Sequence, residues 1–335
     1  MPVILKKSLF PSYRSLWANP QARSQSDSSK KLATQADVVK SLDCLCVTGP
    51  LKSKPKVKSG TVILRPPILP VKKDKETHIS SAARNLPLSG KLFCLVISYH
   101  KNHKSRAVGP ATTWMPKCDH GEIFTDNNTL PDTIAYRDVY RHQNNTYYSL
   151  YTKMMFTFYY IHTYVSPSFD WYLKADDDTY IVVENLLDFV KDLDPDEPHY
   201  IGFRLKSNGG YNSGGAGYLL SRAALKLLAD QKKKPTKGCV FSKWEDLGIG
   251  KCLRSLGVSP RRTMDEEGLS LFYPYNFENA FEGKVWDYNP DYWLYEIPKI
   301  KYGFAAFSKR LISIHHTTPH EMRLIHTFLY RVKLH

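Results

Sequence analysis

Dense apolar clusters alternate with polar stretches along the chain, and the first sustained cluster begins just after residue 90. Lys91-Leu-Phe-Cys-Leu-Val-Ile-Ser98 is nearly all apolar, which predicts a strand buried on both faces. A polar turn follows, and Ala111-Thr-Thr-Trp114 is read as the opening of a helix. From Leu150 to Tyr164 apolar and aromatic residues recur at helical spacing, so an amphipathic helix is expected, with Tyr151, Phe158 and Tyr160 filling the core. A short strand over Trp171–Lys174 then runs into Asp176-Asp177-Asp178, after which β-branched residues resume at once. Asn185 to Asp192 predicts a further helix, ended near Pro195. His199-Tyr-Ile-Gly-Phe203 predicts a strand, and the glycine-rich run Gly209 to Ser221 is expected to lead into a helix through Ala229. Strands alternating with helices imply an α/β fold on a mostly parallel sheet flanked by helices.

The three adjacent carboxylates change this picture most. Like charges side by side repel unless a cation or hydrogen-bond donors neutralise them. A hard divalent metal bridging carboxylate oxygens to a diphosphate is the obvious neutraliser. The alternative is a solvated acidic turn, and the apolar flanks argue against it. Gly214, Gly215 and Gly217 permit close backbone approach. Their spacing matches neither the Walker loop nor the dinucleotide fingerprint, so they are read as a tight wall for a sugar or donor.

Charge and length refine the outline. The net charge is +15 over 335 residues. Residues 1–90 hold 16 Lys or Arg against 5 Asp or Glu, leaving 31 against 27 for the rest. The basicity therefore belongs to a Ser-, Lys- and Pro-rich segment without hydrophobic period, read as a disordered or stem-like region over 1–90 before a catalytic domain over 91–335. Nucleic acid is not an expected partner, since no zinc-finger spacing or recognition motif accompanies the charge. No run of about 20 apolar residues occurs, and Met1-Pro-Val-Ile-Leu-Lys-Lys lacks the apolar core of a secretory signal. Against that, Cys94/Cys118 and Cys239/Cys252 form two sequence-local pairs with spacings that suit disulfides, and sequons stand at Asn127 and Asn144. These hints favour a secretory compartment. Connectivity is not readable from spacing, and a zinc site is disfavoured because no close Cys-x-x-Cys occurs.

Four segments together carry a resemblance: Ala111–Trp114, Trp171–Tyr180 around the aspartates, Ser213-Gly-Gly-Ala-Gly-Tyr-Leu-Leu-Ser221, and Trp244-Glu-Asp-Leu-Gly-Ile-Gly-Lys-Cys252. In that order they resemble the inverting β1,3-glycosyltransferases of family 31, which have the GT-A (Rossmann-like) fold, and within them the core 1 β1,3-galactosyltransferases. The resemblance spans about residues 91 to 330. It implies Mn2+ as cofactor and UDP-galactose as donor. The reaction implied is transfer of galactose to the 3-OH of GalNAc O-linked to Ser or Thr of a glycoprotein. Asp176, Asp178 and His315 become the metal ligands, with His316 next in line. Lys153, Lys174, Asp177, Gly214 and Gly215 become donor contacts, and Trp293 and Tyr295 acceptor contacts within Trp286–Tyr295. Asp246 is favoured as general base, with Glu245 beside it; helix N-terminal capping is the competing role for both. A Golgi or secretory-lumen site, a type II anchor, a dedicated folding chaperone and a homodimer are also implied.

Departures are visible. Thr152 stands where relatives carry Trp, and an acid–base cluster before Leu150 is lost. Ala305-Ala306 replaces a vicinal Cys pair, and Tyr273-Pro274-Tyr275 replaces His-Pro-Phe. No membrane anchor is visible in this sequence. Two other readings keep the fold: a Fringe-like transferase with different sugars, and a non-catalytic folding chaperone. The chaperone branch lacks the acidic triplet that this chain keeps.

Overall fold

The apolar runs form a three-layer arrangement around a seven-stranded sheet. The structure, a computed structural model, describes residues 77–141, 143, 146–283 and 301–333. The strands are β1 Gly90–Ile97, β2 His120–Phe124, β3 Tyr136–Arg137, β4 Phe169–Asp176, β5 Tyr180–Ile181, β6 Tyr200–Gly202, β7 Arg204–Leu205, β8 Tyr211–Asn212, β9 Tyr218–Ser221, β10 Pro260–Arg261, β11 Phe272–Tyr273 and β12 Ser313–Ile314. The α-helices are α1 Ser81–Arg84, α2 Val108–Thr112, α3 Leu150–Tyr160, α4 Val183–Val190, α5 Arg222–Asp230, α6 Glu245–Ser255, α7 Phe277–Glu282 and α8 Pro319–Tyr330.

The main sheet runs β10-β6-β9-β4-β1-β2-β3, with β9 antiparallel to both neighbours and the other pairs parallel. The fold is thus the mixed α/β class expected, mostly parallel at its centre. Strand alternation divides β1 and β4 between two cores. Leu92, Cys94, Val96, Trp171, Leu173 and Ala175 face one layer with α2, α4 and α8. Phe93, Leu95 and Tyr172 face the other with α3, α5 and α6. Burial on both sides explains why β1 reads as a continuous apolar run. Both cysteine pairs are disulfides, Cys94–Cys118 and Cys239–Cys252, and they tie β1 to the segment before β2 and brace α6.

One local expectation is corrected, and one strand was not anticipated. Ala111–Trp114 closes a helix instead of opening one. The hydroxyls of Thr112 and Thr113 donate to the carbonyls of Val108 and Gly109 at 2.6 and 2.7 Å, which terminates α2. Trp114 is then buried, with Nε1 donating to the Thr179 carbonyl at 2.9 Å. The glycine-rich run leads into α5 as expected, but its last four residues first form a strand. Tyr218–Ser221 pairs with both β4 and β6, and Ser221 caps α5 by accepting the Ala224 amide at 3.2 Å. Tertiary pairing decided that segment, which periodicity alone cannot detect.

Residues 77–89 lie against β3: Ile79 bridges Arg137, and the Ser80 amide donates to the Tyr136 carbonyl at 3.0 Å. Trp286–Tyr295, and with it Trp293 and Tyr295, lies outside the described residues, as does the Asn144 sequon.

Candidate active site

Parallel strands leave their carboxyl ends on one edge, where ligands bind in open α/β sheets. At that edge Ile97 pairs with Asp176, so the β1–β4 ladder ends where the aspartates begin. A tight turn returns the chain as β5, which pairs antiparallel with β12 through Tyr180 and Ile314. His315 follows Ile314 directly and is therefore delivered to the aspartates from far along the chain. The Thr317 amide and hydroxyl lock this junction by donating to the Asp178 carbonyl at 2.9 and 3.0 Å.

His315 Nε2 lies 3.2 Å from Asp178 Oδ1 and 4.0 Å from Asp176 Oδ2. Its Nδ1 faces the Pro274 carbonyl at 3.2 Å, which leaves Nε2 for the carboxylates. His316 Nδ1 lies 3.6 Å from Asp178 Oδ2, and the two imidazoles stack at 3.6 Å. One ligand atom each from Asp178, His315 and His316 lie within 4.8 Å of one another. That spread suits one ion bound at about 2.0–2.2 Å, with oxygen and imidazole donors. Asp176 stands at the edge of this group, because Lys174 Nζ holds its Oδ1 at 2.6 Å. Asp177 turns the other way, as strand alternation predicts, and accepts the Ser98 hydroxyl at 2.7 Å.

Gly215 makes this possible. A Cβ there would fall 2.1 Å from His315 Cε1, so only glycine lets the imidazole lie over that backbone. A Cβ on Gly214 would meet Glu245 Oε2 at 2.8 Å. His315 and Glu245 are the groups pressed against the backbone of these two glycines.

Lys174 knits the two acidic groups together. Its buried ammonium bonds Asp176 and the Gly214 carbonyl (3.0 Å) and lies 3.8 Å from Glu245 Oε2. Burial alone would depress it, but Asp176 and Glu245 outweigh that and hold its pKa above the ordinary lysine range. Glu245 is buried at the start of α6, accepts the Tyr218 hydroxyl at 2.6 Å, and is pushed up to about 7 by burial against the pull of Lys174. Asp246 is half-buried and lines the cleft. Its oxygens accept the Gly214 and Leu247 amides at 3.2 and 2.7 Å. Burial raises its pKa against those bonds. The Leu247 contact satisfies an amide in the first turn of α6, which is the helix-terminal role weighed for Asp246.

The cleft, about 670 Å³, is lined by Asp176, Asp177, Asp178, Asp246, His315, His316, Lys153 and Gly215 together. Burial lowers the Lys153 ammonium to about 8, partly offset by Asp126. Asp177 is raised by burial to about 6 despite the Ser98 bond. Burial would raise Asp178 too, but bonds from His315 and His316, with Arg106, hold it well below the carboxylate range.

Sequence reasoning missed three groups here. Arg106 Nη1 reaches Asp178 Oδ2 at 3.0 Å and Asp177 at 3.8 Å, with its side chain half-exposed at the cleft. Ser98, the residue closing the first apolar run, anchors Asp177. Tyr147, Tyr148 and Trp244 form an exposed aromatic wall with ring spacings of 5.8–6.2 Å, and Lys243 sits over two of the rings. Nothing in the local pattern marks Arg106. Trp244, immediately before the Glu-Asp pair, was a readable signal.

The family pattern described as Fringe-like matches residues 89–265. Glycoprotein-N-acetylgalactosamine 3-beta-galactosyltransferase 1 of Xenopus laevis is 30% identical over 267 residues, covering 76% of this chain and 71% of that protein. Human chondroitin sulfate synthase 3 is 25% identical over 140 residues, covering 38% of this chain and 16% of that protein. Among solved structures, a glycosyltransferase involved in glycosylation of the major capsid of PBCV-1 matches at 16% identity with a TM-score of 0.29, over 43% of this chain and 68% of that one.

Proposed function

The chain belongs to the Fringe-like family of glycosyltransferases, and from that premise we propose that it is a β1,3-galactosyltransferase. Its reaction is transfer of galactose from UDP-galactose to the 3-hydroxyl of GalNAc O-linked to Ser or Thr. The observation that carries this reading is the shared cleft, which puts a carboxylate–imidazole cluster and the Asp246 carboxylate on one cavity.

Inversion requires in-line attack. The acceptor O3 bonds to the anomeric carbon as that carbon's bond to UDP breaks, the electron pair leaves with UDP, and the O3 proton goes to Asp246. Asp246 suits the role better than Glu245, because it opens on the cleft while Glu245 is engaged by Tyr218 behind it. A general base contributes about 10²–10⁴-fold. The Asp246 pKa, raised by burial, increases its affinity for the O3 proton.

A manganese ion held by Asp176, Asp178 and His315 would supply Lewis-acid neutralisation of the charge on departing UDP. Lys153, and Arg106 once released from Asp178, are the cations placed to meet the diphosphate. Lys174 holds Asp176 and Glu245 in place, and Asp177 fixes the turn through Ser98. Gly214 and Gly215 keep the donor wall thin. The Tyr147–Tyr148–Trp244 wall presents apolar faces beside Asp246, suited to the C–H face of an acceptor sugar or a peptide. Trp293 and Tyr295 are kept as acceptor contacts on the resemblance alone. The two disulfides suit an oxidising secretory lumen. Among the described residues no helix is long and apolar enough to cross a membrane.

The test is incubation of the full chain with Mn2+, a panel of UDP-sugars and a GalNAc-peptide, read by mass. Gain of one hexose only from UDP-galactose is expected. Gain from UDP-GlcNAc alone would replace the donor assignment with the Fringe-like one, and no gain with any sugar would favour the chaperone reading.

A further inference from the structure

Consecutive residues on an extended strand point to opposite faces, yet His315 and His316 stack ring on ring at 3.6 Å and both face Asp178. The cause is local. His316 is one of two described non-glycine residues with positive φ, at 54°, so the backbone turns into the left-handed region immediately after β12. Asp178 is thereby bracketed, Oδ1 by His315 Nε2 at 3.2 Å and Oδ2 by His316 Nδ1 at 3.6 Å. The Thr317 bonds to the Asp178 carbonyl hold the turn against the triplet.

From this bracketing we infer that His316 supplies a second imidazole nitrogen to the divalent ion of the cleft. The inference rests on the metal-dependent reading above and adds a ligand to it. The compact ligand group is Asp178, His315 and His316, with one ligand atom of each within 4.8 Å of the others, whereas Asp176 gives Oδ1 to Lys174 and leaves only Oδ2, 4.0 Å from His315 Nε2. A one-imidazole site made mainly of carboxylates favours hard ions such as Mn2+ and Mg2+. A second imidazole moves preference toward Co2+ and Zn2+. His316 therefore sets which metal the protein takes up, while His315, fixed through its Nδ1 to Pro274, is the pre-oriented ligand.

The experiment counts nitrogens on the metal. The full chain is loaded with Mn2+ and UDP, and electron spin echo modulation reports the imidazole nitrogens bound to Mn2+. His316→Asn and His316→Gly both tolerate the left-handed backbone, so neither is expected to disturb the fold, which circular dichroism verifies. Two imidazole nitrogens are expected in the wild type and one in each His316 variant and in His315→Ala. Calorimetry should show Co2+ affinity falling about tenfold or more in the His316 variants, with Mn2+ affinity falling less. One nitrogen in the wild type, unchanged in His316→Asn and lost in His315→Ala, would overturn the role of His316 while leaving the metal site standing. Absence of Mn2+ binding in the wild type would overturn both.

Discussion

Two clusters of buried charge stand on the same sheet, one on β2 and β3 and one at the end of β4, and only one of them is open. In the first, Glu122 on β2 accepts Arg137 Nε at 2.6 Å and faces His120 Nε2 at 3.0 Å, while His120 Nδ1 faces the Pro87 carbonyl at 2.7 Å. His120 and Glu122 are fully buried, and His120 stacks on Phe93. Every charge there is answered from within. In the second, Asp176–Asp178 face a cleft, and the side chains answering them include half-exposed Arg106 and His316. Charges answered by groups that can move away are poised for a ligand. Charges answered by groups locked in the core are architecture.

That contrast can be broken by mutation. The largest effect is expected at the open end: Asp246→Asn should cost about 10²–10⁴ in kcat with UDP affinity unchanged, measured by transfer assay and calorimetry. Retained turnover would remove Asp246 as base. In the closed cluster, Glu122→Gln leaves Arg137 and His120 facing each other in the core. About 3–5 kcal/mol of stability should be lost, read by denaturant unfolding. An unchanged midpoint would show that the cluster is not the internal brace described. Gly215→Ala should push His315 aside and weaken metal binding by about 10–100-fold, with a much smaller change in unfolding. The smallest effect concerns Lys153. Its ammonium, lowered to about 8 by burial, is charged below that pH and lost above it. UDP affinity should therefore fall as pH rises through about 8, by about 1 kcal/mol or less. Lys153→Met should flatten that slope.

The contrast also explains what was legible in advance. Segments whose residues are buried on both faces, β1 and β4, announced themselves by apolar density, and the aspartate triplet stood out against its own flanks. His315 came through resemblance, since a histidine at a strand end carries no signal of its own. Its delivery to Asp178 depends on β5 pairing with β12, a contact no local pattern encodes. β9 was not anticipated because Tyr-Leu-Leu suits a strand or a helix until β4 and β6 claim it. Arg106 was invisible for a similar reason: one arginine in a basic stretch acquires meaning only when the helical turn His103–Ala107, just before α2, sets it beside Asp178.

The most direct measurement is calorimetric titration of UDP into the full chain and into Asp178→Ala, each with and without Mn2+. The account predicts tight UDP binding only in the wild type with Mn2+, and loss of that binding in a variant that remains folded. Equal UDP affinity in all four titrations would contradict it.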